Sequence, residues 1–146
     1  SSQSRGLGDV YKRQGVKLAK PKKTVISLMG DGGFGMTISE LSTAVEHKIN
    51  TITIVMNNKS WGAEKAYQKD FFGKRYLGAD ISSPPFDKVA ELYGAKGYKV
   101  KKLSEINDTL KSALKVNKPV VIEIDVDPKA LYSFRKDSFK NKLNAN

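Results

Sequence analysis

One stretch limits the folds open to this chain: Gly30-Asp31-Gly32-Gly33-Phe34-Gly35, set between two apolar runs. Val25-Ile26-Ser27-Leu28-Met29 precedes it. Ile52-Thr53-Ile54-Val55-Met56 follows it and ends on Asn57-Asn58. Between the glycines and the second run, Ile38, Leu41, Ala44 and Val45 recur at helical spacing. Strand, glycine turn, helix and strand in that order make a βαβ unit, whose two strands run parallel. The glycine turn and the Asn pair then emerge together at the C-terminal edge of the sheet, where open α/β sheets bind ligands. The helix N-terminus points its unpaired N–H groups and the positive end of its dipole at the same place, which suits a phosphate.

Asp31 does not fit a bare phosphate turn. The hexapeptide satisfies G-x-G-x-x-G, the dinucleotide fingerprint, which is weak evidence alone. That fingerprint expects an acidic residue at the end of the second strand, about 20 positions on, to hold a ribose. Here the second strand ends in Asn57-Asn58 instead. A carboxylate inside a pyrophosphate turn repels its ligand unless a cation lies between them. One Asp and one Asn oxygen, completed by diphosphate oxygens and water, suit a hard divalent ion such as Mg²⁺.

Gly-Asp-Gly followed, after a helix and a strand, by Asn-Asn resembles the cofactor motif of thiamine-diphosphate-dependent enzymes, and the 27 positions from Asp31 to Asn58 match its spacing. The resemblance implies thiamine diphosphate and Mg²⁺ as cofactors. It implies Asp31, Asn58 and the backbone carbonyl of Ser60 as Mg²⁺ ligands, with the backbone N–H groups of Gly32 and Gly33 on the diphosphate. It also brings Gly30, Trp61 and Gly62 beside the cofactor. A plain dinucleotide-binding domain stays open as an alternative.

The net charge of +11 invites a nucleic-acid reading, and its distribution argues against one. Residues 1–23 carry +6 and residues 129–146 carry +4, while the 105 residues between carry only +1. A nucleic-acid binder needs a basic stripe on its folded body. A non-catalytic basic module is the competing class, with steep salt dependence of nucleic-acid binding as its signature. The absence of cysteine excludes disulfides, thiolate metal sites and a cysteine nucleophile. No apolar run approaches the roughly 20 residues a membrane span requires. A cytoplasmic enzyme with no membrane partner is the expectation.

Residues 1–14 show no usable periodicity, and Gly8 to Gln14 resembles translated adapter sequence at the end of a reading frame. A tag or flexible tail is the alternative, and native sequence is expected to begin near Gly15. The cofactor domain is placed at 15–128 and a basic tail, with a short helix around Ser133 to Lys140, at 129–146. Within the domain, Gly15 to Lys23 reads as the end of a helix entering a turn. Lys59 to Asp80 reads as an irregular loop, long enough to be functional. Ser83-Pro84-Pro85 opens a helix with Ser83 as its N-cap and with Phe86, Val89, Ala90 and Tyr93 as its buried stripe, ended by Gly94. Tyr98-Lys99-Val100 is a short strand. Ser104 caps a helix that turns Ile106, Leu110, Ala113 and Leu114 inward. Val120 to Val126 is the last strand. Alternating strands and helices imply an α/β fold, a parallel sheet covered by helices on both faces.

The resemblance extends from about Gly15 to Lys140. Gly30 to Met36 is similar to the opening of the acetolactate-synthase-like group. Trp61-Gly62-Ala63-Glu64-Lys65, Gln68 to Phe71, Arg75 and Phe134-Arg135-Lys136-Asp137 resemble the sulfoacetaldehyde acetyltransferases within it. Gly33-Phe34 and Asn57 depart from that pattern, where Ala-Trp and His are expected. The group implies conversion of sulfoacetaldehyde and phosphate to acetyl phosphate and sulfite, or carboligation or decarboxylation of a 2-oxo acid. It implies a homodimer or homotetramer of the full-length enzyme. The group's glutamate that activates the cofactor belongs to a separate domain that no segment here matches. The catalytic residues are therefore unknown, and the chain is expected to be inactive alone. Lys65 and Arg75 are the candidate cations for a sulfonate or phosphate. His47, the only histidine, sits where it caps helix carbonyls, and Glu40 reads as structural.

Overall fold

In the computed structural model, which describes residues 9–133, four strands form one parallel sheet in the order β1-β2-β4-β3. The strands are β1 (Ile26–Gly30), β2 (Ile52–Asn57), β3 (Lys96–Val100) and β4 (Val120–Asp125). Helix α1 (Asp9–Ala19) precedes the sheet, α2 (Asp31–Thr37) and α3 (Glu40–Glu46) join β1 to β2, and α4 (Gly62–Phe71) and α5 (Phe86–Leu92) lead to β3. Helix α6 (Ile106–Leu114) joins β3 to β4.

The handedness of parallel crossovers places these helices. The chain steps from β1 to β2 and on to the far edge at β3, then returns to β4 in the gap. Right-handed connections put helices of forward and backward steps on opposite faces. One face packs Met29, Val55 and Val121 against Phe34, Leu41, Phe86 and Ala90 from α2, α3 and α5. The other packs Ile52, Val120 and Ile122 against Ala113, Ile106 and Leu110 of α6. Neighbouring β4 residues thus serve opposite cores, as period-2 side chains in a doubly covered sheet must. The expected α/β fold, a parallel sheet with helices on both faces, is what the chain adopts. Ile26 and Leu28 of edge strand β1 stay exposed, at 50% and 64%.

Several elements differ from the sequence expectation. Lys59 to Asp80 is not an irregular loop: it holds α4, built from the helix formers Ala63, Glu64, Lys65, Ala66, Gln68 and Lys69. Its neck is closed by Trp61 N–H to Ala79 O at 2.8 Å and Ile81 N–H to Lys59 O at 3.1 Å. The single helix expected after the glycines is two. Thr37 Oγ1 donates back to Gly33 O at 3.2 Å and Phe34 O at 3.4 Å, a bond that competes with the helix ladder and bends it. Helix α1 starts at Asp9, so residues 9–14 are helical. Its Gln14 Nε2 donates to Glu40 O at 2.9 Å and Arg13 NH1 to Ser27 Oγ at 3.0 Å. Pro85, not Ser83, is the N-cap of α5. Ser104 lies inside a 3-10 turn, where Glu105 Oε2 accepts the N–H groups of Lys101 and Lys102. Leu114 is exposed. His47 occupies the C-cap position of α3, where its backbone N–H donates to Thr43 O at 3.0 Å. The basic tail's expected helix lies outside the described residues beyond Ser133.

Candidate cofactor site

The register of β1 on β2 pairs Gly30 with Met56, so the chain leaves both strands at one level. Gly30 ends β1 and is the N-cap of α2, and Asp31 is its first residue. Asp31 is a buried carboxylate, 1% exposed, and its Oδ2 accepts the Ser83 hydroxyl at 2.6 Å. Gly32 is bare for a reason. A Cβ there would lie 2.6 to 3.0 Å from three atoms of the Trp61 ring, closer than carbon atoms approach. The indole lies against the start of α2, which is how Trp61 reaches the glycine turn. Gly33 is half-buried, with open space where a Cβ would go.

Beyond β2 the chain turns sharply. Lys59 is in the left-handed region at φ 54, and each Asn closes a local turn. Asn57 Oδ1 accepts the Lys59 N–H at 3.1 Å, and Asn58 Oδ1 accepts the Ser60 N–H at 3.2 Å. Gly62 opens α4 against Asn58, whose Nδ2 would sit 2.8 Å from an added Cβ. Ser60 is buried with its hydroxyl unpartnered. The predicted set Gly30, Asp31, Gly32, Gly33, Asn58, Ser60, Trp61 and Gly62 is thus gathered at the C-terminal ends of β1 and β2. Lys65 and Arg75 are not. Lys65 pairs with Asp80 and lies 5.5 Å from the Tyr76 ring, and Arg75 Nε folds back on Phe72 O at 3.2 Å. Of the predicted set only Asn58 lines the cleft of about 530 Å³ that opens beside Asn57, Asn58, Ser83, Lys99, Glu123 and Asp125, and neither Lys65 nor Arg75 does.

Two residues on the cleft wall escaped the sequence reading. Glu123 of β4 is 1% exposed and accepts from Asn57 Nδ2 at 2.6 Å, Lys99 Nζ at 2.7 Å and Asp87 N–H at 3.2 Å. Burial alone pushes its carboxyl up, but the Lys99 ammonium, the Asn57 amide and the Asp87 N–H outweigh it and hold the group below the usual carboxylate range. Burial likewise pushes Lys99 down, and its bonds to Asp125 and Glu123 bring it above its ordinary value. A carboxylate in the apolar run Val120-Val121-Ile122-Glu123-Ile124 was the available signal, since a buried charge needs partners.

Gly32→Ala tests the Trp61 contact. Trp61 is the only tryptophan, so its emission reports the ring's position alone. The added methyl should displace the ring, shift the emission and cost about 1–3 kcal/mol. An unchanged spectrum would place the indole elsewhere.

The family described as "Thiamine pyrophosphate enzyme, C-terminal TPP binding domain" matches residues 13–124. Sulfoacetaldehyde acetyltransferase of Castellaniella defragrans is 35% identical over 133 residues, covering 88% of this chain and 22% of that protein. A probable acetolactate synthase large subunit of Methanococcus aeolicus is 36% identical over 120 residues, covering 82% of this chain and 20% of its own. Among solved structures, the thiamine diphosphate-dependent 4-hydroxybenzoylformate decarboxylase of Rhodococcus jostii RHA1 superposes with a TM-score of 0.74 at 32% identity, covering 79% of this chain and 22% of that one. The chain thus spans about a fifth of the length of these relatives. With the glycine turn, the buried Asp31 and the Asn57-Asn58 turn at one sheet edge, the chain belongs to the thiamine pyrophosphate enzymes and represents their C-terminal cofactor-binding domain.

Proposed function

We propose that this domain is the diphosphate- and metal-binding half of an acyl-transferring enzyme that converts sulfoacetaldehyde and phosphate to acetyl phosphate and sulfite. The observation that carries the cofactor half is the buried Asp31 carboxylate, at the mouth of a glycine turn and one strand away from the Asn58 turn. The donors suit Mg²⁺. Asp31 and Asn58 offer oxygens and Ser60 a backbone carbonyl, and Mg²⁺ commonly takes one or two carboxylates plus substrate phosphates. Such a set needs no cluster of three His, Cys, Asp or Glu, and the described residues contain none.

Thiamine diphosphate, when bound, supplies the carbanion chemistry. This chain's residues hold and orient it. Asp31 and Asn58 would hold the metal, backbone N–H groups at Gly32 and Gly33 would meet the diphosphate, and Trp61 would close one side. The activating glutamate is proposed to come from another domain of the full-length enzyme, so the isolated chain should release no sulfite.

The substrate rests on sequence likeness. The two departures from the acetyltransferase pattern fall on buried side chains. Phe34 packs edge-on against Phe86 with ring centroids 5.2 Å apart, and Asn57 turns to Glu123. Together with Gly33, these departures leave the cofactor assignment intact and weaken the acetyltransferase one. Assaying the full-length enzyme with sulfoacetaldehyde plus phosphate, and separately with pyruvate, decides the matter. Acetyl phosphate should form faster than acetolactate. Dominant acetolactate would replace the acetyltransferase activity with the synthase one and leave the cofactor assignment standing.

A further inference from the structure

The cofactor motif ends on two asparagines, and only Asn58 has a proposed ligand role. Asn57 is 5% exposed and bridges two distant parts of the chain. Its Nδ2 donates to Glu123 on the neighbouring strand β4, and its Oδ1 accepts the N–H of Lys59 in the turn. A carboxamide can donate and accept at once, and which end points where depends on its neighbours. Glu123 as a carboxylate accepts only. It therefore requires Nδ2 on its side, which leaves Oδ1 for Lys59.

That choice has consequences along the turn. Lys59 is in the left-handed region, and the next two bonds of the chain, Ser60 N–H to Asn58 Oδ1 and Trp61 N–H to Ala79 O, follow from the direction it sets. The Lys59 carbonyl accepts from Ile81 N–H, which ties the neck of the α4 excursion to the same turn. Glu123 is fixed in turn by Lys99 on β3 and by Asp87 N–H at the start of α5. Strands β2, β3 and β4 and helix α5 thus converge on one carboxylate.

We propose that Glu123 is a positioning residue for the metal site, acting through Asn57 to hold the turn that presents Asn58 and the Ser60 carbonyl. It rests on the cofactor reading above and adds residues outside the glycine and Asn-Asn motif. Partners that orient metal ligands typically change metal affinity 10- to 100-fold when removed.

The test is calorimetric titration of the full-length enzyme with thiamine diphosphate at increasing Mg²⁺, together with the melting temperature of each variant without ligand. Glu123→Leu should raise the Mg²⁺ concentration needed for half-saturation by about 10- to 100-fold. Glu123→Gln still offers Asn57 an acceptor, so it should recover most of that affinity despite the lost charge. Asn57→Ala, which leaves Glu123 with Lys99, should show the same loss and serves if Glu123→Leu does not fold. Val121→Ala, two residues away on β4, lowers stability without touching Asn57 and should leave the Mg²⁺ requirement unchanged. If Val121→Ala and Glu123→Leu raise it equally, or if Asn57→Ala leaves it unchanged, Glu123 only supports the fold and the proposal is overturned. If Asp31→Ala also leaves it unchanged, the metal reading itself fails and takes this one with it.

Discussion

Asp31→Ala and Asn58→Ala in the full-length enzyme are each expected to abolish Mg²⁺-dependent binding of thiamine diphosphate while the domain stays folded. The expected loss in apparent affinity is at least about 100-fold, because even partners one shell beyond a metal account for 10- to 100-fold. The fold should survive for a local reason. The partner seen for the Asp31 carboxylate is the hydroxyl of Ser83, a half-buried residue that can turn to water. Asn58 is also half-buried, and its loss removes one acceptor from Ser60 N–H, worth about 1 kcal/mol. Calorimetric titration gives the affinity and a thermal melt gives the stability. Unchanged affinity in both variants would remove the metal assignment. Lost affinity with lost folding in both would show that these residues serve the core.

Gly97→Ala is expected to have the largest effect on stability. Gly97 lies in β3 where α5 crosses the sheet, and an added Cβ would fall on the Asp87 carbonyl oxygen, 2.7 Å from its carbon and 3.0 Å from Cα. These are backbone atoms, so no rotamer change relieves the clash. Helix α5 cannot retreat cheaply either. Asp87 N–H is bonded to Glu123, and Phe86 and Ala90 on the same helix are buried in the core. Overpacking of a close-packed core costs about 1–3 kcal/mol and sometimes more, and a backbone clash belongs at the upper end. Against a total stability of about 5–15 kcal/mol, that is a large fraction. Gly35→Ala provides the contrast. Its Cβ would meet Phe86 at an ordinary 3.8 Å, and alanine favours the helix by about 0.5–1 kcal/mol. Denaturant titration of the two variants should separate them widely. Equal midpoints would mean that α5 and β3 pack less closely than described.

What the sequence determined by itself was local. The apolar runs gave β2 and β4 their places, because a strand buried on both faces has to be apolar nearly throughout. The glycine turn, the Asn pair and their spacing carried the cofactor family, since all of them lie within one βαβ unit. The same periodicity placed α5 and α6 to within a few residues. Helix α4 was missed where Trp, Gly and Phe residues around a run of good helix formers looked like a loop.

The tertiary structure decided the polar contacts between elements. Ser83 reaches Asp31 across 52 residues, and Asn57 reaches Glu123 across 66. No local rule pairs them, because each meeting depends on β4 entering the gap between β2 and β3 and on α5 crossing at Gly97. Ser83 had the composition of a helix cap and Lys65 that of an anion receptor, yet the first serves the Asp31 carboxylate and the second is paired with Asp80. A short polar side chain has several equally good partners in sequence. Strand order and the closing of the α4 excursion decide which of these comes within reach, and no local rule in the sequence does.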